Sequence, residues 1–172
     1  MTYDVLVIGC GVVGAATAYE LSKYNLKVLI LEKENDVAEG ATKANSAIIH
    51  AGYDPRPGTL MARLNVRGTV LAEEICRDLD VPYKKCGSLV VAFSEEEMPT
   101  VRELYERGLE NGVLGMKILT GEEVRDLEPN LSEKILGALY APSAAICSPW
   151  EYCLAMAETA VKIRRSCASR RR

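Results

Sequence analysis

The chain has 172 residues, of which 48% are hydrophobic and 26% are charged, and its formal net charge is −3. This balance is typical of a globular protein. Six of the last eleven residues are Lys or Arg and none of them is acidic, so the rest of the chain is more acidic than the whole. An acidic body argues against a nucleic-acid partner.

The first thirty residues predict a strand, a helix and a second strand. Tyr3–Ile8 and Lys27–Leu31 are apolar strand-like runs, and a helix is expected from Val12 to Tyr24. This length is typical of a βαβ unit. The uncharged stretch Val5–Tyr19 is too short to cross a bilayer and has no basic region before it. We therefore expect neither a transmembrane segment nor a signal peptide.

A glycine turn joins the first strand to the helix. Residues 9–14 read GCGVVG, which matches the GxGxxG pattern of dinucleotide-binding units. Gly9 allows a tight turn, Gly11 lets a pyrophosphate approach the backbone, and Gly14 lets the helix pack closely on the sheet. Val12 and Val13 open the helix, where free N–H groups favour phosphate oxygens. The turn predicts a dinucleotide site without distinguishing FAD from NAD.

The second strand is followed by an acidic residue at the spacing that dinucleotide sites use. Glu32 lies eighteen residues beyond Gly14, where a carboxylate accepts hydrogen bonds from ribose hydroxyls. An acid at this position favours a free ribose over a 2′-phosphate. Lys33, the next residue, is included in the predicted cofactor-binding set.

The remaining elements are predicted from hydrophobic periodicity and from glycine and proline signals. Asn35–Tyr53 is rich in small and polar residues and is expected to be a functional loop, with a short helix inside it as an alternative. The later elements are a helix Thr59–Leu79, a strand Ser88–Phe93, a helix Glu95–Asn111, a strand Met116–Leu119, a helix ending at Leu127, a strand Ile135–Ala141 and a helix Trp150–Ile163. Gly112 is expected to end a helix. Thr120 and Glu123 are spaced as a capping box.

The cysteines and the single histidine exclude the usual zinc patterns. Six cysteines are scattered without a CxxC pair, and no metal site is expected. Such cysteines are typically reduced packing residues of cytosolic proteins. We expect a cytoplasmic protein, with peripheral placement at the inner face of the membrane as an alternative.

The loop after the second strand carries a more specific resemblance. Residues 40–53 read GATKANSAIIHAGY, and residues 57–63 and 137–142 read PGTLMAR and GALYAP. These segments resemble the D-amino-acid-oxidase-like superfamily of FAD-dependent oxidoreductases, in particular bacterial glycerol-3-phosphate dehydrogenases and L-2-hydroxyglutarate oxidases. The resemblance extends from about Tyr3 to about Val161 and implies that the cofactor is FAD.

The resemblance also implies roles for residues of this loop. Thr42, Asn45 and Ser46 offer hydrogen bonds to the phosphate, ribitol or ring of FAD. His50, the only histidine, is the candidate catalytic residue, which would assist removal of a hydroxyl proton near the flavin. A residue that only positions the loop is the alternative for His50, as it is for Tyr53.

The expected fold is α/β, with an FAD-binding Rossmann-type parallel sheet and part of a second, α+β substrate domain. Residues 1–80 are expected to form the N-terminal part of the FAD domain, residues 81–147 part of the substrate-binding domain, residues 148–163 a helix returning to the FAD domain, and residues 164–172 an atypical basic tail. The resemblance implies chains about twice as long or longer. A truncated or out-of-frame end is therefore our hypothesis, and a genuine basic tail that binds an acidic surface is the alternative.

The predicted function is oxidation of a small hydroxylated anionic substrate, such as glycerol 3-phosphate or a 2-hydroxyacid, by hydride transfer to flavin. Three alternatives remain open: an amine-oxidising enzyme of the glycine- or sarcosine-oxidase type, an NAD-dependent dehydrogenase and a non-catalytic FAD-binding fragment. The electron acceptor is expected to be oxygen, a quinone or an iron–sulfur protein.

Overall fold

A computed structural model describes residues 2–169, with side chains described through residue 162. The described chain is mixed α/β, with helices of up to 21 residues and strands of two to five. The elements are β1 (Val5–Ile8), α1 (Val12–Ser22), β2 (Val28–Leu31), β3 (Ile48–Ile49), α2 (Leu60–Asp78), β4 (Tyr83–Lys84), β5 (Ser88–Ala92), α3 (Met98–Glu110), β6 (Lys117–Thr120), α4 (Gly121–Leu127), β7 (Gly137–Ala141), β8 (Ala145–Cys147) and α5 (Pro149–Ser169).

The chain divides into two compact units. The first contains Met1–Ala47, Ile75–Pro82 and Cys147–Arg172, and the second contains Ile48–Glu74 and Tyr83–Ile146. The domain limits expected from the sequence remain predictions, since they concern the domains of a complete enzyme.

In the first unit, β1 and β2 pair in parallel, from Val5 opposite Val28 to Ile8 opposite Leu31. This confirms the predicted parallel βαβ start. Helix α1 packs mainly on α5. The buried residues between these elements are mostly small or flexible, which lets the backbones approach closely. They are Cys10, Ala15, Ala38, Cys153, Met156 and Ala157.

In the second unit, an antiparallel sheet has the order β5-β7-β6, and a smaller sheet has the order β3-β8-β4. Val90 lies opposite Leu139, and Ile118 pairs with the other side of Leu139. Leu139 is completely buried as a result. Helices α3 and α4 both contact β7, so the central strand organises this unit.

The helix ends are set by local backbone conformation and by hydrogen bonds. Helix α2 ends at Asp78 because Asp80 has a positive φ of 57° and the N–H of Val81 donates to the carbonyl of Cys76. Helix α3 ends before Gly112, whose φ is 82°, as predicted. The capping box of Thr120 and Glu123 is present at α4, also as predicted.

Some predicted elements differ from those observed. The loop predicted over Asn35–Tyr53 contains the short strand β3, because Ile48 and Ile49 pair with β8. Helix α3 begins at Met98 rather than Glu95, with Pro99 in its first turn. The N–H groups of the first turn have no partner within the helix, so proline is accepted there. Helix α5 continues to Ser169, beyond the predicted Ile163. Residues 170–172 of the predicted basic tail lie outside the described residues.

Across residues 2–169, no helix is long and apolar enough to cross a membrane.

Candidate functional site

The glycine turn of the first unit has the geometry that its sequence predicts. Gly9 has a φ of 92°, a conformation that side-chain-bearing residues rarely adopt. A Cβ on Gly14 would lie 2.0 Å from the carbonyl oxygen of Gly9, so α1 packs directly on the turn. Gly11 is extended at the N-terminus of α1 and provides no side-chain cap. The first turn of α1 therefore presents backbone N–H groups beside a residue that has no side chain.

The Glu32 carboxylate accepts three backbone hydrogen bonds, one from the glycine turn and two from the residues that follow Glu32. The N–H of Cys10 donates to Oε2 at 2.6 Å, and the N–H groups of Lys33 and Glu34 donate to Oε1 at 2.8 and 3.1 Å. These bonds, the one from Cys10 first, lower the pKa of the Glu32 carboxyl. The carboxylate is therefore ionised, oriented and rich in acceptor lone pairs at the end of β2.

The peptide of Cys10 is held from its carbonyl side as well. Its oxygen accepts from the N–H of Ala38 at 3.0 Å and from Sγ of Cys153 at 3.4 Å. Cys10 is only 3% exposed, and burial, followed by the charge of Glu32, raises the pKa of its thiol. A buried thiol of raised pKa packs and does not act as a nucleophile.

Thr42, one of the predicted cofactor-binding residues, lies next to the start of α1. Its Oγ1 accepts from the N–H of Val12 at 3.0 Å, and a Cβ on Gly11 would lie 3.2 Å from the same atom. The Thr42 hydroxyl thus occupies the position next to the free helix N–H groups, with its own proton available for an acceptor such as phosphate.

The other predicted contact residues differ in their surroundings. Asn45 uses its amide within its own loop, donating to the carbonyls of Ala41 and Thr42 and accepting from the N–H of Ala47. Asn45 therefore shapes the loop that carries Thr42. Ser46 is exposed, Val13 is 77% exposed, and the Lys33 side chain is 87% exposed, with Nζ 3.1 Å from Glu34.

His50 belongs to the second unit, whereas the glycine turn, Glu32 and Thr42 belong to the first. The His50 side chain is exposed. Its carbonyl oxygen accepts from Oγ1 of Thr69 at 2.6 Å. Tyr53, three residues on, packs against the core of this unit. Arg63 is exposed on α2.

Sequence reasoning did not identify the residues that support these segments from a distance. Cys153 is 143 residues from Cys10, and Asn111 and Arg107 contact residues more than fifty positions away. No local pattern marks such pairs. Among the described residues, no group of three or more His, Cys, Asp or Glu is arranged to hold a metal ion.

Comparison with known proteins gives a consistent result. Residues 4–170 match the model of the DAO family, described as FAD dependent oxidoreductase. The chain is 54% identical over 160 residues to a glycerol 3-phosphate dehydrogenase of Caloramator mitchellensis, covering 93% of this chain and 33% of the relative. It is 42% identical to the mitochondrial L-2-hydroxyglutarate dehydrogenase of Dictyostelium discoideum, covering 84% of this chain and 33% of the relative.

A solved structure has the same fold. The dithionite-reduced L-alpha-glycerophosphate oxidase of Mycoplasma pneumoniae, with FAD bound, matches with a TM-score of 0.89 and 35% identity. The match covers 95% of this chain and 44% of the oxidase. The chain thus spans about a third of the length of the two curated relatives and less than half of the solved one.

Proposed function

Because the chain belongs to the DAO family of FAD-dependent oxidoreductases, we propose that its first unit binds the ADP portion of FAD at the glycine turn. We further propose that the enzyme oxidises a small hydroxylated anion, such as glycerol 3-phosphate or a 2-hydroxyacid. The single observation that carries the proposal is the joint geometry of the turn and its acid. Gly14 lies against Gly9, and the Cys10 N–H donates to Glu32.

The residues of the turn fit the cofactor in size and charge. The pyrophosphate would lie at the N-terminus of α1, where Gly11 leaves room and the helix dipole favours a negative charge. The N–H of Val13 and the Thr42 hydroxyl would contribute hydrogen bonds there, and the Val12 N–H, which donates to Thr42 Oγ1, would hold that hydroxyl in place. Glu32, already ionised and held by three backbone donors, would accept from the ribose hydroxyls. Asn45 would act through the loop conformation that places Thr42.

The substrate class is inferred from the relatives. A glycerol 3-phosphate dehydrogenase and an L-2-hydroxyglutarate dehydrogenase are both similar to this chain, and the substrates in these names share a hydroxyl-bearing carbon and an anionic group. When bound, FAD supplies the hydride acceptor. His50 would take the hydroxyl proton in that reaction, because an imidazole is a suitable base near neutral pH. The electron acceptor is oxygen, a quinone or an iron–sulfur protein, and reoxidation of the reduced flavin distinguishes them.

The experiment is an anaerobic absorption titration of the purified protein reconstituted with FAD. Glycerol 3-phosphate or L-2-hydroxyglutarate should reduce the flavin and decrease its absorption band. Air, a quinone or an iron–sulfur protein is then added in turn, and the one that restores the band is the electron acceptor. Glycine and sarcosine serve as amine controls. Reduction by the amines alone would favour the amine-oxidising alternative, and flavin that none of these substrates reduces would favour a non-catalytic FAD-binding chain. Absence of bound flavin would contradict the proposal.

A further inference from the structure

The segment from His50 to Pro55, which follows β3, is held through its backbone carbonyls. Thr69, on α2, donates from Oγ1 to the His50 carbonyl at 2.6 Å. Thr69 is the one polar residue in the buried set of the described chain, with 8% exposure. A short hydrogen bond from a buried hydroxyl fixes the chain at the start of this segment.

Helix α3 holds the rest of the segment. Asn111, the residue after α3, donates from Nδ2 to the carbonyl of Gly52 at 2.9 Å and to the carbonyl of Pro55 at 2.8 Å. Both protons of one amide are thus used on two carbonyls, 59 and 56 residues away. Arg107, one turn earlier, donates from Nη1 to the carbonyl of Asp54 at 2.8 Å.

Close packing reinforces these bonds. A Cβ on Gly108 would lie 2.9 Å from Cβ of Tyr53, and a Cβ on Gly52 would lie 2.5 Å from Cγ2 of Val66 on α2. Gly52 also has a φ of 111°. The segment therefore lies directly on both helices, with four of its six carbonyls bonded to side chains of α2 or α3 or to the residue that ends α3.

We propose that Asn111 is a positioning residue that orients the backbone carrying His50 and Tyr53, with Arg107 and Thr69 in the same role. Asn111 acts through the carbonyls of Gly52 and Pro55, to which both protons of its amide are donated. A carboxylate in its place would face two carbonyl oxygens and donate to neither. The effect on flavin rests on the proposed function, whereas the effect on the segment itself does not.

The test compares Asn111→Asp with Asn130→Asp, which makes the same change at an exposed residue after α4. Amide hydrogen exchange is measured over residues 50–58, with β7 as the internal reference. Loss of two donors to buried carbonyls should speed exchange in the segment about tenfold, with β7 unchanged. Asn130→Asp should leave both regions as in the wild type.

The single histidine of the chain provides a spectroscopic reading of the same site. In untagged protein labelled with ¹³C-histidine, the imidazole signal of His50 should move in Asn111→Asp and stay in place in Asn130→Asp. Adding FAD should shift this signal in the wild type and in Asn130→Asp, and the shift should be clearly smaller in Asn111→Asp. A purely structural loss of stability would not produce that selective difference.

Unchanged exchange over residues 50–58 in a folded Asn111→Asp protein would overturn the proposal, as would an equal increase in β7. If Asn111→Asp does not fold, Arg107→Gln decides, because it removes the bond to the Asp54 carbonyl and leaves both bonds of Asn111 in place; it also removes an ion pair with Glu103 within α3. Local exchange should then rise severalfold, and no local rise overturns the proposal. If the wild type binds no FAD, the proposed function fails, and exchange and the His50 signal alone decide the positioning role.

Discussion

Replacement of Gly14 by alanine should separate α1 from the glycine turn. The added Cβ would lie 2.0 Å from the carbonyl oxygen of Gly9 and 3.1 Å from its carbonyl carbon. Ordinary contact between such atoms requires more than 3 Å, so the turn or the helix must move by about 1 Å. Gly9 cannot yield easily, because its N–H donates to the carbonyl of Leu31 at 2.7 Å and its φ is 92°.

The expected cost follows from the kind of atom that is displaced. Overpacking typically costs about 1–3 kcal/mol, and a clash with hydrogen-bonded backbone belongs at the upper end, about 3 kcal/mol. For a chain of this size that corresponds to a melting temperature about 6–12 °C lower. Circular dichroism at increasing temperature measures the change, and urea unfolding gives the free energy of unfolding independently.

Gly68→Ala is the matched control. Gly68 lies inside α2, and nothing lies within 4 Å of a Cβ added there. The same substitution should therefore raise the free energy of unfolding by about 0.5–1 kcal/mol, through helix propensity. If Gly14→Ala melts at or above the wild-type temperature, the close packing of α1 on the turn is refuted.

Two further predictions concern titration and thiol reactivity. The pKa of Glu32 is lowered in the folded chain, so its stabilising effect is present above about pH 4.5 and is lost as the pH falls through the folded-state pKa. The stability difference between wild type and Glu32→Gln, from urea unfolding, should therefore shrink on acidification, and a constant difference would argue against the bonds from the backbone. Among the thiols, exposed Cys86 should react rapidly with a disulfide reagent in a Cys167→Ser background. Burial raises the pKa of Cys76 to about 12 and also raises the pKa of Cys147, so both thiols should react only on unfolding. Fast reaction of Cys76 and Cys147 together with Cys86 would contradict their burial.

Much of the first unit could be predicted because its signals are local. Gly9, Gly14 and Glu32 lie within one βαβ unit, and each has a physical requirement that a single sequence displays. The end of α3 at Gly112 and the cap at Thr120 were predictable for the same reason. Tertiary pairing decided the rest. Strand β3 exists because Ile48 and Ile49 pair with β8, almost a hundred residues later in the chain. A strand of two residues is too short to show a hydrophobic periodicity in the sequence.

The supports of the candidate site were not predictable from sequence. Asn111 reads as an ordinary residue at a helix end, yet its amide holds two carbonyls of the segment after His50. Cys153 reads as an apolar residue of α5, yet its thiol contacts the carbonyl inside the glycine turn. Such contacts depend on chain segments far apart in sequence, and composition or spacing carries no trace of them.

Equilibrium titration of the purified chain with FAD tests the central claim most directly. Flavin fluorescence is followed for the wild type, for Gly11→Ala and for Gly68→Ala, with NAD added as a competitor in a separate series. The wild type and Gly68→Ala should bind FAD with the same affinity. Gly11→Ala, whose added Cβ meets Thr42 at 3.2 Å and blocks the approach to the backbone, should bind at least about tenfold more weakly. Equal binding by all three proteins would contradict the placement of FAD at the glycine turn, and displacement of FAD by NAD would contradict the preference of this site for FAD.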